Sequence, residues 1–268
     1  MDSRSAYSFL KDAADEMYNA IWNVYEEKIS EVEEGRITYK EFGKYLDYAS
    51  AEALRNFIIR EKTLFKVYSE EWFEDYRPES DEILIVDPID GTSNFTRGIS
   101  YSAISLALAK GYSFKDIYAG YVLNLFTRDR YYAYRGRGSY KNGSTRIRVS
   151  KTLKTINAFI SIAITHQIPG RDRSLDILRY TNYPRHLGSA ALEDCLVAEG
   201  RLDAHIDVRG SLRIYDIGAS QLIVREAGGK VWIDQDGGKP RIDKIYGIKI
   251  ISASTPHLLE KILDILGI

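Results

Sequence analysis

The chain has 268 residues, with 37 Lys and Arg against 38 Asp and Glu and a formal net charge of −1. That balance argues against a strongly basic nucleic-acid-binding surface, and the length suffices for one large domain or two lobes around a substantial core. The single cysteine, Cys195, excludes an intramolecular disulfide and suits a reducing compartment. The first residues lack the apolar centre of a signal peptide, and no uncharged apolar run is long enough to span a bilayer. The expectation is a cytoplasmic globular protein with neither a nucleic-acid nor a membrane partner.

Tyr7, Leu10, Ala14, Met17, Ile21 and Val24 recur at helical spacing and predict a long first helix, with Gly35 ending the polar segment after it. A second helix is expected over residues 47–61, with Ala51, Leu54 and Ile58 on one face. A strand at 63–68 leads into Ser69-Glu70-Glu71. An apolar strand at 83–86 then ends on Asp87 and is stopped by Pro88. Further strands are expected at 102–109, 118–125 and 130–135, with Asn142-Gly143 as a hairpin signal. The weakest connection lies at 150–155. It divides the chain into an N-terminal α+β lobe, residues 1–150, and a C-terminal α/β lobe, residues 151–268. In the second half a helix at 191–198 is closed by Gly200, a strand runs over 202–208, and Asp216 stands where a strand gives way to a helix that Gly228 ends.

The run Asp87-Pro88-Ile89-Asp90-Gly91-Thr92-Ser93-Asn94-Phe95 carries the chemical signal. Two carboxylates stand beside a helix start. Carboxylates hold hard divalent cations, and free amides at a helix start hold phosphate oxygens. Metal-assisted phosphate chemistry is the implied class. Asp216 has two readings: it caps its helix, or it points into a site at the helix mouth.

Taken together, Ser69-Glu70-Glu71, the Asp87–Phe95 run, His186-Leu187-Gly188-Ser189-Ala190-Ala191 and Tyr215-Asp216-Ile217-Gly218-Ala219 resemble the inositol monophosphatase family over residues 47–252. The segment Ile206-Asp207-Val208-Arg209 is most similar to archaeal members, some of which hydrolyse both inositol monophosphate and fructose 1,6-bisphosphate. The resemblance implies an α+β fold, a layered α/β/α/β/α sandwich of the sugar phosphatase type with mixed sheets. It implies a phosphomonoesterase using two or three Mg2+ ions, with Mn2+ as a substitute, and a homodimer. Its metal ligands would be Glu70, Asp87, Asp90, Asp216 and the carbonyl of Ile89. Water would be the nucleophile, activated by Glu70 and Thr92, while the Gly91 and Thr92 amides held the phosphate. Gly188, Ser189, Ala190 and Asp207 would meet a phosphorylated sugar or polyol.

Asp47 matches the acid of a third ion position, beside Glu70 and Thr92 among the catalytic residues. The family threonine before it is replaced by Gly43, and a solvated capping role for Asp47 is an equal alternative. Arg209 and Arg213 either reach a second phosphate or are surface charges. His166, His186, His205 and His257 lack zinc-ligand spacing, and Cys195 reads as packed core. Arg135-Gly136-Arg137-Gly138 lacks the Lys-Ser/Thr of a P-loop and reads as a hairpin. Two further functions share these acids: a 3′-phosphoadenosine nucleotide phosphatase, and a non-catalytic protein that binds metal or phosphate.

Overall fold

The structure is a computed structural model that describes residues 1–71, 79–164 and 173–268. Helix α1 (Ser3–Glu33) starts on Asp2, whose carboxylate accepts the Ser5 amide at 2.8 Å. Its stripe of Leu10, Ala14, Met17 and Ile21 is wholly buried. Helix α2 (Tyr39–Arg60) begins eight residues earlier than the apolar pattern alone suggested, because Thr38 and Glu41 form a capping box at its start. Asp47 therefore lies inside the helix and caps nothing.

The first sheet takes its strands in chain order: β1 (Lys66–Ser69), β2 (Glu82–Asp90), β3 (Ala103–Lys110), β4 (Ile117–Asn124), β5 (Arg130–Tyr134), β6 (Gly138–Lys141) and β7 (Thr145–Arg146). Only β1 and β2 run parallel. Helix α3 (Thr92–Thr96) follows β2. Asn142 and Gly143 take positive φ in the β6–β7 turn, and the Arg135–Gly138 segment joins β5 to β6 as a hairpin.

The second sheet contains β8 (Phe159–Ile162), β9 (Tyr183–Arg185), β10 (Ala204–Leu212), β11 (Lys230–Gln235) and β12 (Ile248–Ala253), in the order β11-β12-β10-β8-β9. Its β8–β10 and β8–β9 pairs are parallel and the others antiparallel. Helices α4 (Ala190–Ala198), α5 (Ile214–Glu226) and α6 (Pro256–Leu266) complete the chain.

The period of two along each strand sorts side chains into layers. On β2, Leu84 and Val86 face α1 and α2, while Ile83 and Ile85 join the core with α4 and α5. On β3, Ile104, Leu106 and Leu108 fill the first core, and the small Ala103, Ala107 and Ala109 face the second. Small residues on that face let α5 lie close: α5 packs across β2, β3, β4 and β5. The other face of the second sheet buries Ile160, Ile206 and Ile251 against Leu258 and Ile262 of α6. The layers thus run α1/α2, first sheet, α4/α5, second sheet, α6. This is the expected α/β/α/β/α sandwich with mixed sheets. Each fully buried Leu or Ile contributes about 1.5–3 kcal/mol.

Three strand expectations need correction. Strand β1 begins at Lys66 rather than at residue 63. Strand β2 does not stop at Pro88 but runs on to Asp90. Asp87 pairs with Ser105 and Asp90 with Ala103, so three steps on β2 oppose two on β3. That extra residue is a bulge, which absorbs a proline lacking a ladder donor. Strand β10 begins at Ala204 rather than Leu202, since Leu202 and Asp203 belong to the turn after α4.

Candidate active site

In an uninterrupted strand, Asp87 and Asp90 would point to opposite faces, because an odd spacing crosses the sheet. The bulge restores them to one side, where both border a cavity of about 400 Å³. Asp87 Oδ1 accepts the Ile89 amide at 3.1 Å, and the Thr92 hydroxyl donates to the Ile89 carbonyl at 2.8 Å. These two bonds lock the corner between β2 and α3. Gly91 sits there at φ +88°. A Cβ on it would meet the Gly188 carbonyl oxygen at 3.0 Å and that of Tyr101 at 3.1 Å, so the position requires glycine on two counts. The Asn94 and Phe95 amides donate to the Gly91 carbonyl at 2.9 and 3.0 Å, so in the first turn of α3 the Thr92 and Ser93 amides are the ones left without a helical acceptor.

The second half of the chain supplies the opposite wall. Ser189 caps α4 by accepting the Leu192 amide, and its hydroxyl donates to Asp90 Oδ2 at 2.6 Å. The Ala191 amide donates to the same oxygen at 2.7 Å. Asp216, in the first turn of α5, accepts the Arg213 amide at 2.7 Å. Both readings of Asp216 therefore hold at once: it caps the helix and lines the cavity. Glu70, at the end of β1, pairs with the Arg213 guanidinium, which also donates to the Tyr215 hydroxyl at 2.8 Å.

These acids crowd one another. Burial first, then the charges of Asp90, Asp216, Glu70 and Asp47, raise the Asp87 carboxyl well above its usual range. Burial and Asp216 raise Asp90 to about 7, against the bonds from Ser189 and Ala191. Burial raises Asp216 to about 6, with the Arg213 amide opposing. Asp47 is pushed up to about 8 by burial, Glu70 and Glu71. Buried carboxylates held this close favour a bound cation, and an all-oxygen donor set suits a hard one such as Mg2+. Among the described residues no three His, Cys, Asp or Glu side chains already close into a metal cage; Glu70 is turned onto Arg213 and the Ile89 carbonyl onto Thr92.

The cavity gathers Glu70, Asp87, Ile89, Asp90, Gly91, Thr92 and Asp216 with Gly188, Ser189, Ala190, Asp207 and Arg209. Asp47 lies in an adjoining cavity of about 490 Å³ that shares Glu70 and Thr92. Helix α2 comes this close because residue 43 is glycine: a Cβ there would stand 3.1 Å from the Thr92 methyl. The departure at Gly43 thus has a packing reason. Arg209 clasps Asp207, with Nε to Oδ1 at 2.9 Å and a second nitrogen to Oδ2 at 2.5 Å. Neither Arg209 nor Arg213 is an unattached surface charge.

Sequence reasoning overlooked several residues. Asn94 donates to the Leu187 carbonyl at 2.8 Å and to that of Tyr101 at 3.0 Å, tying α3 to the opposite wall. His186, His205 and Glu193 line the cavity, though histidine spacing alone gave them no role. His166 lies outside the described residues. Cys195 is fully buried, and burial drives its thiol well above the usual range, as expected of a packing residue.

A model of the inositol monophosphatase family matches residues 2–266. A protein of Archaeoglobus fulgidus named fructose-1,6-bisphosphatase/inositol-1-monophosphatase is 35% identical over 274 residues, covering 98% of this chain and all of that one. A bifunctional NADP phosphatase/NAD kinase of Methanococcus maripaludis is 31% identical over 69% of this chain and 35% of that one. The crystal structure of the extragenic suppressor protein suhB of Bartonella henselae superposes with a TM-score of 0.79 at 27% identity, covering 98% of each chain. The family match spans the fold and both walls of the cavity, and the chain is a phosphatase belonging to the inositol monophosphatase family.

Proposed function

We propose that the protein is a Mg2+-dependent phosphomonoesterase acting on inositol monophosphate and on fructose 1,6-bisphosphate. The observation that carries this reading is the convergence of Asp87, Asp90, Asp216 and Glu70 on one cavity that also holds the start of α3 and Asp207. The proposed ligands are Glu70, Asp87, Asp90, Asp216 and the Ile89 carbonyl, for two or three Mg2+ ions with Mn2+ as a substitute. When bound, the cation offsets phosphate charge and makes the attacking water more acidic.

The chain's own groups do the rest. The Gly91 and Thr92 amides receive the phosphate oxygens. The Thr92 hydroxyl donates to the Ile89 carbonyl, which leaves its oxygen lone pairs free to accept from water. Glu70 takes the water proton, and Asp47 faces the same two groups from α2. Gly188, Ser189 and Ala190 form the substrate wall. Because the Ser189 hydroxyl is committed to Asp90, this segment meets the substrate through its backbone. Asp207 accepts from ring hydroxyls, and Arg209 sets its orientation and supplies positive charge for a second phosphate.

A nucleotide phosphatase is the second reading, and the NADP phosphatase relative favours it. Against it, no Phe, Tyr or Trp among the described residues lines the cavity to stack on a base. Phosphate release from inositol 1-phosphate, fructose 1,6-bisphosphate and 3′-phosphoadenosine 5′-phosphate, each with and without Mg2+, tests the assignment. Preference for the nucleotide overturns the polyol reading, and no release from any of them favours a binding protein.

Residues 1–150 and 151–268 are proposed as two lobes of one unit in the cytoplasm, where the lone Cys195 stays reduced. No described helix is long and apolar enough to cross a membrane. A homodimer is also proposed. Its support is the exposed group Ile156, Phe159, Leu175, Leu178, Tyr180 and Tyr183 around the edge strand β9. Light scattering after gel filtration measures its mass.

A further inference from the structure

Behind the substrate wall lies a buried charged cluster that the proposed chemistry does not use. His205 of β10 is fully buried between two acids of α4: Nδ1 stands 2.9 Å from Asp194 Oδ1, and Nε2 stands 2.9 Å from Glu193 Oε2. Asp194 Oδ2 accepts the Ser220 hydroxyl of α5 at 2.8 Å. Glu193 Oε1 accepts the amides of Leu187 and Gly188, both at 3.0 Å. A continuous line of polar contacts therefore runs from α5 through Asp194, His205 and Glu193 to the backbone just before Ser189.

Each end of that line is anchored and each charge is compensated. Burial disfavours a charged imidazole, but Glu193 and Asp194 outweigh it and hold His205 protonated. Glu193 stays ionised for the same reason, since His205 overrides its burial, and it stands in the first turn of α4, where the helix dipole favours an acid. The Asp194 link to Nδ1 is a hydrogen bond, whereas the Glu193 link to Nε2 is a charge contact without hydrogen-bond alignment; the low polarity of the interior strengthens both. What the line holds is informative: Gly188 takes φ +87°, its carbonyl lies against Gly91, and the Leu187 carbonyl receives Asn94. The 187–188 segment is thus held through the Leu187 carbonyl from the phosphate side and through its two amides by Glu193.

We propose that Glu193, oriented by His205 and Asp194, is a positioning residue that fixes the 187–188 backbone and so sets how the 188–190 wall meets the polyol part of the substrate. The inference rests on the polyol phosphatase reading for its consequence, but the positioning itself is a property of the free protein.

Two measurements separate these. Hydrogen exchange across residues 186–190 should accelerate at least about tenfold in Glu193→Ala and in His205→Phe, and stay near the parent rate in Glu193→Gln, whose carbonyl still accepts both amides. Steady-state kinetics should show KM for inositol 1-phosphate rising about tenfold in Glu193→Ala, with KM for p-nitrophenyl phosphate, which has no polyol, changing less than about twofold. Glu193→Gln should restore the polyol KM. Unchanged exchange in Glu193→Ala overturns the positioning role. So does an equal loss on both substrates, or a Glu193→Gln protein as impaired as Glu193→Ala. If His205→Phe fails to fold, the Ala and Gln pair at 193 still decides. Failure of the polyol reading shows separately, as a parent protein that does not hydrolyse inositol 1-phosphate while the exchange result stands.

Discussion

The Ser189 hydroxyl donates to Asp90 Oδ2 at 2.6 Å across 99 residues of sequence. One carboxylate thus joins the start of α4 to the end of β2, and its other oxygen is left toward the cavity. Asp90→Asn keeps an oxygen for Ser189 and Ala191 but removes the charge. We expect Mg2+-dependent phosphate release to fall by at least about 100-fold, with the far-ultraviolet circular dichroism spectrum unchanged. Turnover near the parent rate would sink the metal assignment.

The Thr92 hydroxyl is the group the mechanism can least spare among uncharged side chains. Thr92→Val keeps the shape and loses the bond to the Ile89 carbonyl. The kcat is expected to drop about 100-fold or more, while Thr92→Ser retains most activity. Equal kinetics for the Val and Ser proteins would argue that the hydroxyl serves only as a structural tie.

Gly91→Ala should destabilise the fold by about 1–3 kcal/mol. The cause is double, a left-handed backbone and a Cβ 3.0 Å from the Gly188 carbonyl oxygen. Urea unfolding measures it, and a loss below about 0.5 kcal/mol would show that the 188 segment yields easily.

The raised carboxyls predict how metal-free stability depends on pH. In the unfolded chain these aspartates ionise near 3.8; in the folded chain Asp216 does so at about 6, Asp90 at about 7 and Asp47 at about 8. Between those limits the native state binds more protons than the unfolded one, so stability falls as pH rises from about 4 to 8. Thermal melts in EDTA should give a lower Tm at pH 8 than at pH 5, by about 2–4 °C for each 1 kcal/mol lost. Mg2+ should reduce the difference. A metal-free Tm that rises over this range would contradict the crowding of the acids.

Arg209→Ala removes the guanidinium that clasps both Asp207 oxygens and leaves Oδ1 only the residue 209 amide. Activity on fructose 1,6-bisphosphate should fall about tenfold further than activity on inositol monophosphate, the scale of one charge-assisted hydrogen bond. Equal losses would assign Arg209 to Asp207 alone and not to a second phosphate.

Much of the site was readable in one dimension because its chemistry is local. Asp87, Asp90, Gly91 and Thr92 sit within six residues, and their types alone point to metal and phosphate. The helical stripe of α1 and the alternation of β3 were legible for the same reason, since burial repeats with the backbone period. What was misread depended on partners elsewhere. The strand continues past Pro88 because β3 tolerates a bulge, and α2 begins early because a capping box outweighs a weak apolar pattern.

By itself the sequence determined the element types, the family and the acids available for a cation. Only the tertiary structure decided that Arg213 neutralises Glu70, that Arg209 clasps Asp207, and that His205, dismissed on spacing, lies between Glu193 and Asp194. Charge pairs and hydrogen bonds act over a few ångströms in space. Folding brings those atoms together from positions that no periodicity along the chain relates.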